Sequence, residues 1–469
     1  MNGSKDDILI LGGGLSGLAA GSVLTKAGYP VKVIERDHVV GGLSKTIEKN
    51  GFRFDLGGHR FFTKDEQINR FVRDLMGDEL ISVQRSSKIL LRDRYFDYPL
   101  KPFNALFGLG VTTTATIVAD YVREAVKGMV RKKPVVSLEE WVVCNFGRTM
   151  FDIYFKEYSE KVWGIDCSRI SASWVAQRIK GLSLAKAVKS AFFRFSGRDL
   201  ATLTDCFLYP TLGIGRMSDR LQEEIERAND VFTGADVIAV RRAGARIEGA
   251  SVRSRGRVRW FPAAQCISTL PVTKLVTLLD PAPPRAILDA AARLKFRDLV
   301  VAAIMVDRER VTDQTWIYIP EKKIPFGRIH EPTNWSPAMA PPGKSLLVAE
   351  FFSNRGDAIW KRSDGELTAL TVDNLCRLGF IERDKVLDSM IVRVPKAYPL
   401  FEVGYRKYAD ELLDYIGRFE NLHVAGRGGM FRYYNMDVAL RSGLETAESI
   451  IGQPRPASVG SDELVLANT

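Results

Sequence analysis

The sequence predicts an α/β protein with a dinucleotide-binding layer, an inserted helical region and a second, antiparallel sheet. Three observations carry this. A glycine-rich strand–turn–helix opens the chain, the stretch from about 106 to 197 changes to helical periodicity, and period-two runs recur between about 301 and 352. A chain of 469 residues can bury a large core and is expected to divide into domains. Residues 1–100, 200–275 and 395–453 are assigned to the nucleotide-binding part, 101–199 to the helical insertion and 276–394 to the sheet. Residues 454–469 are expected to be a disordered tail.

The first element is the most specific. A short apolar strand, Ile8–Leu11, meets the turn Gly12-Gly13-Gly14, a helix from Leu15 to about Ala27 and a second strand, Val31–Ile34, ending on Glu35. Gly12, Gly14 and Gly17 stand at G-x-G-x-x-G spacing. The first makes the tight turn, the second lets a pyrophosphate approach the backbone, and the third lets helix and strand pack closely. The helix start at Leu15 and Ser16 offers free N–H groups and a positive dipole end to phosphates. Glu35, with Arg36 beside it, is placed to accept a hydrogen bond from an adenosine ribose.

The acid continues into Glu35-x6-Gly42-Leu43, with Gly41 and Gly42 paired. That pattern resembles the flavin-binding oxidase superfamily rather than the nicotinamide dehydrogenases, and implies FAD as the cofactor of a Rossmann-like FAD-binding domain.

The remaining elements follow in order. Phe52–Asp55 alternates as a strand and leads to Gly57-Gly58-His59-Arg60-Phe61. Thr63-x-x-Glu66 reads as a capping box opening a helix with Ile68, Phe71, Val72 and Leu75 on one face. Strands near Ser87–Leu91 and Arg94–Tyr98 follow. Ser137-x-x-Glu140 is a second capping box, within the helical insertion. The segment 185–198 is basic with an apolar face (Ala187, Ala191, Phe192, Phe195), which fits a solvated amphipathic helix or contact with an anionic membrane. Three strands from Val237 to Phe261 form a meander, Cys266–Leu270 is a short buried strand, and Leu422–Ala425 is a buried parallel strand before a helix from about Asn435 to Ile451.

Composition narrows the function classes. The net charge of +11 suits a solvated basic surface, a polyphosphate substrate or an anionic membrane. Neither a nucleic-acid motif nor a basic strand interleaved with aromatics accompanies it, so no nucleic-acid partner is expected. Five scattered cysteines without a C-x-x-C pair argue for a reducing cytoplasm, with peripheral contact at the inner membrane face left open. The four histidines form no metal-ligand spacing, so no metal is expected. The first strand begins too early for a signal peptide, and no apolar run has the length of a membrane span.

Several segments, in the same order over nearly the whole chain, resemble the UDP-galactopyranose mutases. They are Gly57-Gly58-His59-Arg60-Phe61, Tyr158–Gly164, Ala176-Gln177-Arg178-Ile179, Pro325-Phe326-Gly327-Arg328-Ile329, Tyr398-Pro399-Leu400 and Gly426-Arg427-x5-Tyr433-Tyr434-Asn435-Met436-Asp437. The resemblance implies a redox-neutral isomerase in which the reduced flavin attacks the anomeric carbon of an activated sugar through N5. It implies Arg178 and Arg328 clamping the diphosphate, and His59 beside the flavin with Gly58. It also implies Tyr398 and Tyr434 on the phosphates, Trp163 near the nucleotide or flavin, and Arg427 near the sugar or the flavin. Gly426, Asn435, Met436 and Asp437 would close on the flavin, and an external reductant, NAD(P)H or a reductase, would keep it reduced. Phe431 stands where the family pattern has a phosphate-binding tyrosine and Asn435 where it often has an acid, so another nucleotide sugar or a lipid-linked sugar diphosphate fits as well. The alternative is an FAD-dependent oxidoreductase of the protoporphyrinogen oxidase, amine oxidase or desaturase type, acting on an apolar or lipid-linked substrate.

Overall fold

The computed structural model describes residues 7–98, 110–130, 134–174 and 206–452. The expectations for Arg178, for the basic segment 185–198 and for the tail 454–469 lie outside the described residues.

A five-stranded parallel sheet forms the first layer, in the order Leu422–Val424, Gln265–Ser268, Ile8–Leu11, Val31–Ile34, Asp230–Phe232. Ile8–Leu11 lies between two neighbours with both faces covered, which explains why it is uninterruptedly apolar. The helix Leu15–Lys26 packs against the C-terminal helix Met436–Ile451, and glycine sets the distance between them. A Cβ on Gly443 would lie 2.2 Å from the Ser16 carbonyl oxygen. The Ser16 hydroxyl donates to the Ala439 carbonyl at 2.7 Å across the same contact.

The second layer is a seven-stranded sheet in the order Val386–Pro399, Phe296–Val306, Ser345–Ser353, Arg328–His330, Trp316–Tyr318, Ser87–Leu91, Arg94–Asp97. Its centre is not period-two. Phe296–Val306 is apolar along most of its length because both faces are covered: Val300, Ala302 and Ile304 meet the helix Asp364–Arg377, and Leu299, Val301 and Ala303 meet Phe52, Phe54 and Leu56. That helix, opened by a Ser363–Glu366 capping box, was not anticipated from the sequence.

Three boundaries differ from the sequence reading. Ser87–Leu91 and Arg94–Asp97, assigned to the nucleotide-binding part, join the second sheet, where Ser87–Leu91 runs parallel to Trp316–Tyr318. The last residues of Val386–Pro399 do so too, since that strand continues along Phe296–Val306 to Pro399. The meander Ala235–Ala243, Arg246–Ser254, Arg257–Pro262 forms a sheet of its own with Leu279–Asp280. Its edge strand carries Arg257, Arg259 and the exposed Trp260, so a basic strand with an aromatic does occur.

The helical insertion is present, with Val111–Val130, Leu138–Phe146 and a wider π-type stretch, Phe151–Lys156, that continues into Glu157–Trp163. The Ser137–Glu140 capping box forms with both bonds in place. The Thr63–Glu66 box does not: Asp65 caps Glu66–Met76, accepting from Gln67 and Ile68, while Thr63 accepts from the Asp65 N–H. An aspartate one residue before the helix wins because its carboxylate reaches the first-turn N–H groups directly. Among the described residues no helix is long and apolar enough to cross a membrane, and no cluster of three metal-ligating side chains occurs.

The interhelical contact at Gly443 gives a stability prediction. Gly443→Ala places a methyl against the Ser16 backbone and is expected to cost about 1–3 kcal/mol by overpacking. Thermal melting should show a lowered Tm; an unchanged or raised Tm would mean that the two helices separate without cost.

Candidate functional site

The turn after Ile8–Leu11 is built for an approach that side chains would block. Gly12 has φ 108°, and a Cβ there would meet the Thr269 hydroxyl at 2.3 Å, while a Cβ on Gly17 would lie 2.1 Å from the Gly12 carbonyl oxygen. Gly14 and Gly42 face each other through backbone alone: a Cβ on Gly42 would come within 3.3 Å of the Gly14 Cα. The first-turn N–H groups of Leu15, Ser16 and Gly17 have no acceptor within the helix and are available to a phosphate. Glu35 is buried, and its two oxygens accept from the Gly13 N–H at 2.8 Å and the Asp37 N–H at 2.9 Å. Its first role is therefore to shape the glycine loop. Arg36 is exposed and pairs with Asp37 at 3.7 Å. Leu43 is partly buried against the cluster of Phe52 and Phe54.

A second centre forms where the two sheets meet. Glu350, in the middle of the apolar strand Ser345–Ser353, is 0% exposed. Arg328, from the adjacent strand, grips it with two N–H groups, Nε at 2.7 Å and Nη2 on the other oxygen. The Gly58 N–H donates to the same carboxylate at 3.2 Å, and His330 Nδ1 stands 3.6 Å away. Burial alone would raise this carboxyl, but the Arg328 guanidinium and His330 outweigh it and bring it down to about 2. Glu350 is therefore ionised at any working pH, and it fixes the guanidinium plane bidentately.

His59 follows Gly58 and stands beside this pair. Its Nδ1 is buried and has no hydrogen-bond partner among the described residues. Burial and the nearby Arg427 charge push its pKa down to about 4, with Glu350 opposing, so the ring is neutral near pH 7.

Arg427, after the strand Leu422–Val424, holds the Tyr434 carbonyl at 2.8 Å and the Ala397 carbonyl at 3.3 Å. Its guanidinium lies 5.6 Å from the Tyr398 ring centre and 5.4 Å from that of Tyr433, and the two rings are stacked within 11° of parallel. Among the described residues it has carbonyls and rings for neighbours and no carboxylate partner. Behind the rings lies an aromatic wall: Trp163 sits edge-on to Trp174, Tyr398 and Phe401, and Phe401 edge-on to Phe431.

The hairpin carrying Arg328 is anchored to the helix Glu157–Trp163. Lys161 donates to three backbone carbonyls, Ile319 at 2.8 Å, Glu321 at 2.9 Å and Phe326 at 2.7 Å. Burial lowers its pKa to about 7. Gly164, with φ 68°, leaves room for Arg297, which would lie 2.6 Å from a Cβ there and which caps the Lys161 and Val162 carbonyls.

The structure thus gathers His59, Gly58, Arg328, Tyr398 and Arg427 into one site. The fold also brings together Gly12, Gly14, Ser16 and Gly426: a Cβ on Gly426, which has φ 77°, would meet the Ser16 hydroxyl at 2.8 Å. Met436 and Asp437 are buried at the start of the C-terminal helix, and Asn435 is its exposed N-cap residue. Two expectations change. Tyr434 contributes its carbonyl to Arg427 while its hydroxyl feels Arg432 and Glu445, so Tyr433 is the tyrosine in the stack. Trp163 is only 4% exposed and belongs to the aromatic core. Glu350 and Lys161 were missed. A lone acid within an apolar strand was the available signal for Glu350, because a buried carboxylate requires a partner.

The glycine cradle and the two facing helix starts fit a dinucleotide, and the comparisons identify which one. A model of the family described as flavin containing amine oxidoreductase matches residues 15–451. A crystal structure of reduced UDP-galactopyranose mutase superposes with a TM-score of 0.81 at 22% identity, covering 99% of this chain and 98% of that one. Putrescine oxidase superposes with a TM-score of 0.66 at 19% identity, over 96% and 99% of the two chains. At these identities the likenesses establish the fold. By sequence, the "probable UDP-galactopyranose mutase" of Klebsiella pneumoniae is 26% identical over 175 residues, 36% of this chain and 44% of that protein. The all-trans-retinol 13,14-reductase of Homo sapiens is 42% identical over 71 residues, 15% of this chain and 12% of that protein. The matched stretches thus span less than half of either curated relative. With its FAD-binding loop, its mixed α/β layers and a family match over most of its length, the chain belongs to the flavin-containing amine oxidoreductases, with FAD as its cofactor.

Proposed function

We propose that this protein is a flavin-dependent mutase of an activated sugar, acting on a sugar diphosphate of the nucleotide-linked kind. The observation that carries the reading is Arg427: a guanidinium without a carboxylate partner among the described residues, set beside the stacked rings of Tyr398 and Tyr433 and close to the neutral His59. An apolar substrate has no use for that charge. A departing diphosphate does, because it gains negative charge as the bond to the sugar breaks. The likenesses to UDP-galactopyranose mutases point the same way.

Bound and reduced, FAD would supply a nucleophilic nitrogen, N5. The chain's own residues supply the rest. Gly12, Gly14, Gly42 and the start of Leu15–Lys26 would hold the pyrophosphate, while Glu35 keeps the glycine loop in shape and leaves its outer lone pairs for the ribose. Arg427 would neutralise the leaving diphosphate. Arg328 acts differently from a free cation, since Glu350 balances its charge, and it serves as an oriented donor through Nη1, next to Gly58. The tyrosine hydroxyls of Tyr398 and Tyr433 are further donors for phosphate oxygens, and the aromatic wall behind them keeps water from the reacting carbon. Arg178 remains a candidate for the opposite side of the diphosphate. An external reductant would be needed to prime the flavin.

A net oxidation or reduction is the second reading. The likenesses to putrescine oxidase and to all-trans-retinol 13,14-reductase support it.

Two experiments probe the site. Arg427→Met is expected to lower kcat/KM for a nucleotide sugar about 100-fold or more, the scale for losing one aimed transition-state donor. Arg427→Lys should recover part of that loss, with the FAD spectrum retained in both. Unchanged kcat/KM would remove Arg427 from the reaction. The Arg328–Glu350 pair is read by stability against pH. The folded carboxyl is lower than its ordinary 4.5, so its contribution is complete above pH 4.5 and is lost as pH falls towards about 2. Glu350→Ala should cost about 3–5 kcal/mol at neutral pH and flatten that acid limb in urea titrations. An equally steep limb in the variant would show that Glu350 is not its source.

A further inference from the structure

The helix Val111–Val130 has two apolar faces, and the fold covers one. Ile117 is fully buried, and Tyr121 packs on the core that contains Leu138, Val142 and Trp163. On the other side Val118, Val122 and Val126 are 48%, 55% and 55% exposed, with Ala115 and Ala119 exposed among them. At about 100° per residue, Ala115, Ala119, Val122 and Val126 fall in one stripe along the helix. Water gains nothing from such a stripe, and an ordered apolar surface of this kind marks a place that something else covers.

Charge indicates what covers it. Arg123 and Lys127 flank the stripe and are exposed, whereas the two acids of the helix are half-buried. Asp120 accepts from the Thr149 N–H at 3.1 Å, and the Glu124 side chain is 17% exposed and tied to Lys127. The sequence adds Arg131, Lys132 and Lys133 directly after the helix. A second copy of the chain would match the stripe's spacing, but it would set one positively charged flank against another. An anionic bilayer presents the opposite sign and an apolar layer beneath it.

We propose that Val111–Val130 is a membrane-docking helix, lying flat on an anionic lipid surface with the Ala115–Val126 stripe at the headgroup–acyl boundary and Arg123 on the phosphates. This surface is independent of the reaction assigned to the flavin site.

Co-sedimentation of the full-length, FAD-loaded protein with vesicles tests it. Vesicles of mixed phosphatidylcholine and phosphatidylglycerol should pellet the protein, pure phosphatidylcholine should pellet much less, and added salt should weaken the binding. Val122→Asp with Val126→Asp should lower the bound-to-free ratio about tenfold or more, because two carboxylates would have to enter the boundary layer. Both positions are exposed, so flavin absorbance and Tm should stay as in the parent protein. Arg123→Glu should weaken binding in the same direction. Three results would overturn the proposal: no pelleting with anionic vesicles, pelleting that the double variant leaves unchanged, or a dimer in light scattering that the double variant dissolves.

Discussion

A carboxylate with no exposure to water, Glu350, is the constraint on which the site depends. An ion of that kind persists only if its charge is met and its lone pairs are occupied. Arg328 does most of this with a two-pronged grip, and Gly58 adds a backbone N–H. The consequence is positional. The carboxylate ties three separate pieces of chain together: the strand it stands on, the strand of Arg328 and the loop that presents His59. Such a pair contributes little net stability compared with an apolar replacement. What it provides is one fixed orientation for a guanidinium and for the loop that carries His59.

The rest of the molecule keeps that junction in place. Lys161 gathers three carbonyls of the hairpin that carries Arg328, and Arg297 of the second sheet caps two carbonyls of the same helix, so the helical insertion and the second sheet are joined in both directions. On the cofactor side the same purpose is served by absence of side chains. Gly12, Gly17, Gly426 and Gly443 each stand where a Cβ would strike a neighbour within 3 Å. The helices Leu15–Lys26 and Met436–Ile451 can therefore approach as closely as their backbones allow.

Much of this was legible in the sequence because it is local. The spacing of Gly12, Gly14 and Gly17 and the acid at the end of the second strand announced the cofactor loop, and Ser137 with Glu140 announced a helix start that formed with both bonds. What depends on distant neighbours was less readable. Nothing within Ser87–Asp97 says that it will pair with Trp316–Tyr318, more than two hundred residues away. The choice between Tyr433 and Tyr434 turns on which ring faces Arg427, and adjacent residues in a non-helical loop give no periodicity to decide it. The resemblance implies a diphosphate clamp for Arg328, but its carboxylate partner stands on another strand, and no local pattern announces that pair. The sequence patterns reached the identity of the cofactor; the carboxylate partner of Arg328 and the carbonyl partners of Arg427 needed the tertiary contacts.

The central proposal is that the flavin works without net electron transfer on a diphosphate-bearing sugar, beside the Arg427 guanidinium. The direct measurement is an electron count. The protein is reduced once without oxygen, supplied with excess UDP-galactopyranose or a related nucleotide sugar, and followed by flavin absorbance while ring-size products are separated chromatographically. The account predicts many product molecules per flavin with the spectrum still that of the reduced cofactor. Product formed only in proportion to flavin oxidised, or no conversion of any sugar diphosphate while an apolar substrate is oxidised, would contradict it.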